Sequence, residues 1–135
     1  MIRNIPLLII PFILFNVILA GALGPTRVDP LDGTLVSMGM MSGGEFRMTL
    51  GDLLIVIGLV CLFFEIMKST RTSNASVVDH LLSTFLLVAY LVEFLLVAGA
   101  ANSVFFILMV ITMVDVLAGF SVSIRSAGRD VTFGR

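Results

Sequence analysis

Residues 76–125 read SVVDHLLSTFLLVAYLVEFLLVAGAANSVFFILMVITMVDVLAGFSVSIR, and this stretch decides the fold. Two apolar runs, Leu81–Val97 and Val104–Val122, flank the small-residue turn Ala98-Gly99-Ala100-Ala101-Asn102. Each run is long enough to cross the ~30 Å hydrocarbon core of a bilayer as a helix. Each also carries one carboxylate, Glu93 in the first and Asp115 in the second. An unpaired acid is costly in lipid, so both must face protein or water. The pattern is that of a membrane hairpin with its acids turned inward.

Composition extends this reading to the whole chain. It is 59% hydrophobic and 13% charged, with a mean hydropathy of +1.15. Ordinary globular chains are about 45–50% apolar and about 25% charged. The 135 residues leave room for one domain, 1–135. A net charge of −1 gives no basic footprint for nucleic acid. Trp is absent and Tyr90 is the single Tyr, so the usual aromatic belts are missing and Phe and Arg must anchor the helices. The lone Cys61 has no internal disulfide partner and reads as a small packing residue.

The expected architecture is all-α, an integral membrane bundle of four transmembrane helices with spans near 5–23, 50–68, 77–98 and 103–124. Ile5–Leu23 is the first span. It becomes a cleaved secretory signal, leaving three spans, if Ala20-Gly21-Ala22 is a processing site. Pro6 fits a first helical turn, whereas Pro11 would kink a continuing helix, and Asn16 weakens the segment further. Residues 24–48 form a long Gly-rich connection in which Gly33–Met38 alternates too briefly to define a strand. Within it, Gly43-Gly44-Glu45-Phe46 matches only part of the signature of cyclic-dinucleotide synthases and lacks the surrounding domain. It is set aside as chance.

Thr49-Leu-Gly-Asp52 is a capping box that opens the second helix, and Ser76-Val-Val-Asp79 repeats the pattern before the third. Asn102 is placed to cap the fourth. In the second helix Gly51, Gly58 and Glu65 recur on one face, where small residues admit a close neighbour. In the third, Asp79, Ser83, Tyr90 and Glu93 lie within an arc of roughly 80°. In the fourth, Thr112, Asp115, Gly119 and Ser123 do the same. These two polar stripes should face each other. Glu93 and Asp115 differ in depth by roughly 8–9 Å, too far to pair, and Tyr90 between them is expected to hydrogen-bond Asp115.

The candidate functional residues are these intramembrane polar groups, Glu93, Asp115, Tyr90, Thr112 and Glu65, with Asp79 and His80 at the cytoplasmic edge. Buried carboxylates suit proton or cation uptake, and equally suit contacts between helices or subunits. At the edge, Glu65 is expected to pair with Lys68, and Asp79 to act as a helix-start acid. One His and one Cys give no metal-ligand spacing, no nucleophile–base pair is evident and no phosphate loop appears. The reading is therefore no enzyme, no cofactor, no metal and no nucleic-acid partner.

Arg3, Lys68, Arg71, Arg125, Arg129 and Arg135 fall on one side of such a bundle, and only Arg27 and Arg47 on the other. That bias places both termini in the cytoplasm and residues 24–48 outside.

The segments Val78-Asp79-His80 through Tyr90-Leu91-Val92-Glu93 and Asp115-Val116-Leu117-Ala118-Gly119-Phe120 through Arg125 resemble uncharacterised small four-span bacterial inner-membrane proteins. The resemblance covers about the last two-thirds of the chain. It implies a multi-pass protein of the bacterial inner (cytoplasmic) membrane and no particular mechanism. In size the chain is also similar to small multidrug exporters, but these carry an essential Glu in the first helix, where this chain has only Asn16. The functional expectation is an accessory or scaffold subunit, in contact with lipid and with another membrane-protein subunit or copies of itself. The alternative is a small proton- or cation-coupled carrier or channel.

Overall fold

The computed structural model describes residues 4–22, 24, 29–70 and 74–133, with backbone alone for 74–76, 123 and 125–133. The fold is mostly helical, with four α-helices: α1 (Ile9–Leu19), α2 (Leu50–Ser69), α3 (Asn74–Leu96) and α4 (Ser103–Phe133). By length and composition three segments are able to cross a membrane, Leu50–Ser69, Val77–Leu96 and Ser103–Val122. Helix α4 is central. It packs along α2 on one side and α3 on the other, while α1 lies over it and α2.

The first segment departs from expectation. Only 11 residues are α-helical, about 16 Å of rise rather than a full span. Pro11 is the reason. It occupies the third helical position, inside the first turn, where no intrahelical N–H is required, so it sets the helix start instead of kinking it. At the other end Ala20-Gly21-Ala22 forms a Schellman cap. Gly21 takes φ +86°, its N–H donates to Ile18 O (3.0 Å), and the Ala22 N–H donates to Val17 O (3.2 Å). The chain still traverses the bundle, from Ile5 beside Lys68 at one end to Leu19 against Gly99 at the other.

Residues 29–48 also carry more regular structure than a Gly-rich loop. A 3-10 turn at Pro30–Asp32, capped by Asp29, leads into an antiparallel hairpin, β1 (Thr34–Gly39) and β2 (Glu45–Thr49). A register irregularity between Thr34 and Val36 shifts the alternation by one residue, which is what made the strand hard to see in the sequence. Val36, Met38, Phe46 and Met48 consequently share one apolar face. Ser37, Glu45 and Arg47 share the other, where Ser37 bonds Glu45 and the Arg47 Nε donates to Thr34 Oγ1 (2.6 Å).

Thr49 ends β2 and caps α2. Its hydroxyl accepts from the Asp52 N–H (3.2 Å), and the Asp52 carboxylate accepts from the Thr49 N–H (3.0 Å). Asn102 caps α4 in the expected way, accepting from the Phe105 N–H at 2.9 Å. The second expected box fails, because α3 begins at Asn74 and leaves Ser76 and Asp79 inside the helix. Helix α4 runs past the expected limit of 124 to Phe133.

The core joins all four helices around Leu8, Phe15, Leu54, Cys61, Leu86, Tyr90, Phe105 and Leu108. Phe12 meets Tyr90 edge-on (4.8 Å between centroids), and Phe105 meets Phe15 (4.7 Å) and Tyr90 (5.2 Å). Close approach of α2 to α4 depends on Gly51 and Gly58. A Cβ on either would sit 2.7 Å from Val104 Cγ2 or 2.8 Å from Leu108 Cδ2.

Candidate functional site

At the end of the bundle where α2 finishes and α3 starts, four elements bring polar groups together. Glu65, one turn from the α2 terminus, is 2% exposed. Its Oε1 accepts from the Leu7 N–H (2.7 Å) and from Lys68 Nζ (3.0 Å). The same ammonium donates to Asp79 Oδ1 on α3 (3.3 Å) and to the Ile5 carbonyl (3.1 Å). The expected Glu65–Lys68 contact is present, and Asp79 is a member of the same network rather than a helix-start acid. Burial explains the arrangement. A lone carboxylate here would be costly, and one lysine shared by two acids and a free carbonyl satisfies several groups together.

Deeper along α4, Asp115 is 5% exposed and faces Ser83 of α3, itself buried. His80 lies one turn outward, its Nδ1 against Gly119 and its ring edge-on to Phe120 (4.0 Å). Glu65, Ser69, Asp79, His80, Ser83, Asp115 and Gly119 line a cavity of about 10 Å³. That is the space of one water molecule. Two buried atoms here have no hydrogen-bond partner among the described residues, His80 Nε2 and Asp115 Oδ2.

The remaining expected residues lie elsewhere. Tyr90 is fully buried and its hydroxyl donates to the Leu8 carbonyl (3.0 Å), not to Asp115. Helix pairing gives the reason. Ser83 lies opposite Asp115 and Phe94 opposite Phe105, so Tyr90 is level with the residues near Leu108, roughly two turns from the acid. Thr112 returns its hydroxyl to the Leu108 carbonyl (2.9 Å). Glu93 stands apart towards the opposite end, where Asn16 Nδ2 donates to its Oε2 (3.0 Å). Ser123, Arg125 and Arg129 fall where no side chain is described, and Arg3, Arg27, Arg71 and Arg135 lie outside the described residues.

Sequence reasoning missed three contributions: the bridging role of Lys68, the backbone groups of residues 5–8, and the pairing of Asn16 with Glu93. Asn16 carried a signal, since an amide in an apolar segment needs a partner. The backbone groups carried none beyond the two prolines. Among the described residues no group of three or more His, Cys, Asp or Glu is placed to hold a metal ion. A second cavity of about 260 Å³ lies at the opposite end, lined mostly by apolar groups including Phe15, Leu19 and Leu31, with Asp29 at its edge.

Compared with known proteins, the chain matches no protein-family description, no curated protein and no solved structure. Fold and site therefore define its class, a small helical bundle with three helices suited to crossing a membrane and a buried polar centre at one end.

Proposed function

We propose that the chain is a four-span protein of the bacterial inner membrane, both termini cytoplasmic, that serves as an accessory or scaffold subunit docking on another membrane protein through its external hairpin. The observation that carries this is the hairpin's apolar face. Met38 and Phe46 are paired across the strands yet 52% and 45% exposed, and Met41 at the tip is fully exposed. Apolar groups clustered on one face of a hairpin beyond the spanning helices favour a covering surface. Flexible Met side chains suit a protein partner of irregular shape. Among the described residues both strands also keep an edge unpaired with any other strand, open to a partner's backbone.

The interior weighs against a carrier. Between the cavity at Asp115 and the Glu93–Asn16 pair stands the packed layer of Leu8, Phe12, Tyr90, Phe105 and Leu108. Its one phenolic hydroxyl is committed to Leu8. Such a layer opposes a continuous polar path across the bilayer.

The orientation rests on the six-to-two excess of Lys and Arg at the cytoplasmic end. The test combines size and transport. In native membranes the wild-type chain is expected in an assembly larger than its own 14.6 kDa. A Met38→Ser/Met41→Ser/Phe46→Ser variant should leave the assembly while keeping its helical content. A monomeric wild-type chain, a variant that stays assembled, or proton or cation flux through the purified chain in liposomes overturns the proposal.

A further inference from the structure

We infer that His80 and Asp115 form a proton-binding site, sharing one proton through a single water held between them. The inference goes beyond the docking role and does not depend on it.

The cavity comes first. Its volume of about 10 Å³ admits one water and little else. Two of its lining residues carry buried unsatisfied atoms among the described residues, Asp115 Oδ2 and His80 Nε2. Asp115 is about 95% buried, so bulk solvent does not relieve it. Leaving such an atom unpaired is costly, and a water that donates to the carboxylate while meeting the imidazole nitrogen removes both deficits. Carboxylate and imidazole are also the two side-chain classes that exchange protons near neutral pH when placed together.

The surroundings select a proton over a metal ion. From α2 the site is faced by Glu65 and Lys68 with the Ser69 hydroxyl, from α3 by Asp79, His80 and Ser83, and from α4 by Asp115. The N-terminal segment contributes backbone alone, the Leu7 N–H and the Ile5 carbonyl. Lys68 is already committed to Glu65, Asp79 and Ile5, and Glu65 also holds Leu7. With Asp115 ionised and His80 neutral, three carboxylates stand against one ammonium. One bound proton lowers that surplus without needing a further ligand set, and no metal-holding group of side chains converges here among the described residues.

Gly119 completes the geometry. A Cβ at that position would lie 2.5 Å from His80 Nδ1, so any side chain there would force the imidazole to move.

The experiment is a proton titration of the full chain in lipid nanodiscs, purified without a histidine tag. His80 is the only histidine, so its imidazole nitrogen-15 resonances need no assignment. Asp115→Asn, which removes the carboxylate that shares the proton, is expected to weaken proton uptake by the site at least tenfold. Gly119→Ala keeps both titrating groups but displaces the ring, and should reproduce most of that loss. Glu93→Gln, at the far end, should leave the titration unchanged. A His80 titration indifferent to Asp115→Asn overturns the inference. Should that variant fail to fold, the coupling is read from the other partner, by infrared detection of the Asp115 carboxyl. A carboxyl band unaltered by His80→Gln is equally fatal. Neither readout depends on a docking partner, so this site and the scaffold role fail separately.

Discussion

At the residue scale, the two acids that stood out in the sequence are solved by different means. Glu93 is met by the Asn16 amide across helices, and Asp115 is left facing a water-sized space. Removing the Glu93 partner, Asn16→Ala, should destabilise the bundle by about 0.6–1.7 kcal/mol, the usual range for interhelical polar contacts in membranes. Reversible unfolding in mixed micelles measures this, and a variant as stable as wild type would show the contact to be idle. Tyr90→Phe should cost about 1–2 kcal/mol, because a fully buried hydrogen bond from its hydroxyl to the Leu8 carbonyl is lost. The polar residues themselves were legible, since each interrupts an apolar run. Their partners were less so. Tyr90 was matched to the wrong acceptor because sequence spacing does not fix which levels of α3 and α4 face each other, nor that a backbone carbonyl of the first segment lies within reach.

At the scale of elements, end signals succeeded where a side chain states the boundary and failed where two rules compete. Thr49 with Asp52, and Asn102, mark helix starts correctly. Ser76 with Asp79 carries the same pattern, yet the helix had already begun at Asn74. Pro11 is compatible with either a kink or a start, and in the structure it sits in the first turn of α1. The glycine face of α2 was readable from its seven-residue spacing, and its partner, α4, was not. Gly51→Ala should be the costlier of the two substitutions there. Its Cβ meets the stiff Val104 side chain and, at 3.3 Å, the Leu31 carbonyl, whereas Gly58 meets flexible chain ends of Leu108 and Ile111. Losses of about 1–3 kcal/mol, in that order, are expected. Equal stability of the two variants would place the close approach elsewhere. Gly43→Ala provides the contrast. With φ +88° and nothing within 4 Å, it should strain only the hairpin turn and leave helix packing intact.

For the whole molecule, composition alone pointed to helices long and apolar enough to cross a membrane, and three such helices are present; the proposed orientation rests on charge placement. In a Cys61→Ala background, Ser42→Cys at the hairpin tip should react with an impermeant thiol reagent in intact cells. Thr70→Cys at the end of α2 should react only after permeabilisation. The reverse pattern would invert the protein and move the Lys68 cluster to the outer face. The hairpin was the least legible part of the fold, because a two-stranded ribbon with one register irregularity lacks the long alternation by which strands are recognised.

The shared lysine also has a consequence for how the chain is made. Residues 5–8 are synthesised before the groups that meet them: the Ile5 carbonyl and the Leu7 N–H are satisfied from α2, and the Leu8 carbonyl accepts the Tyr90 hydroxyl from α3. In hydrocarbon each unsatisfied group costs several kcal/mol. Their partners, Glu65, Lys68 and Tyr90, are synthesised some sixty to eighty residues later. In the proposed membrane setting this segment therefore rests poorly in lipid by itself and should stay against the insertion machinery until α2 and α3 arrive. Chains arrested after residue 60 should crosslink from Phe12 to the translocon, and chains arrested after α3 and long enough to expose it should crosslink from Phe12 to Tyr90 instead. Early escape of the first segment into lipid would show that the lysine bridge is a late convenience, not a condition of assembly.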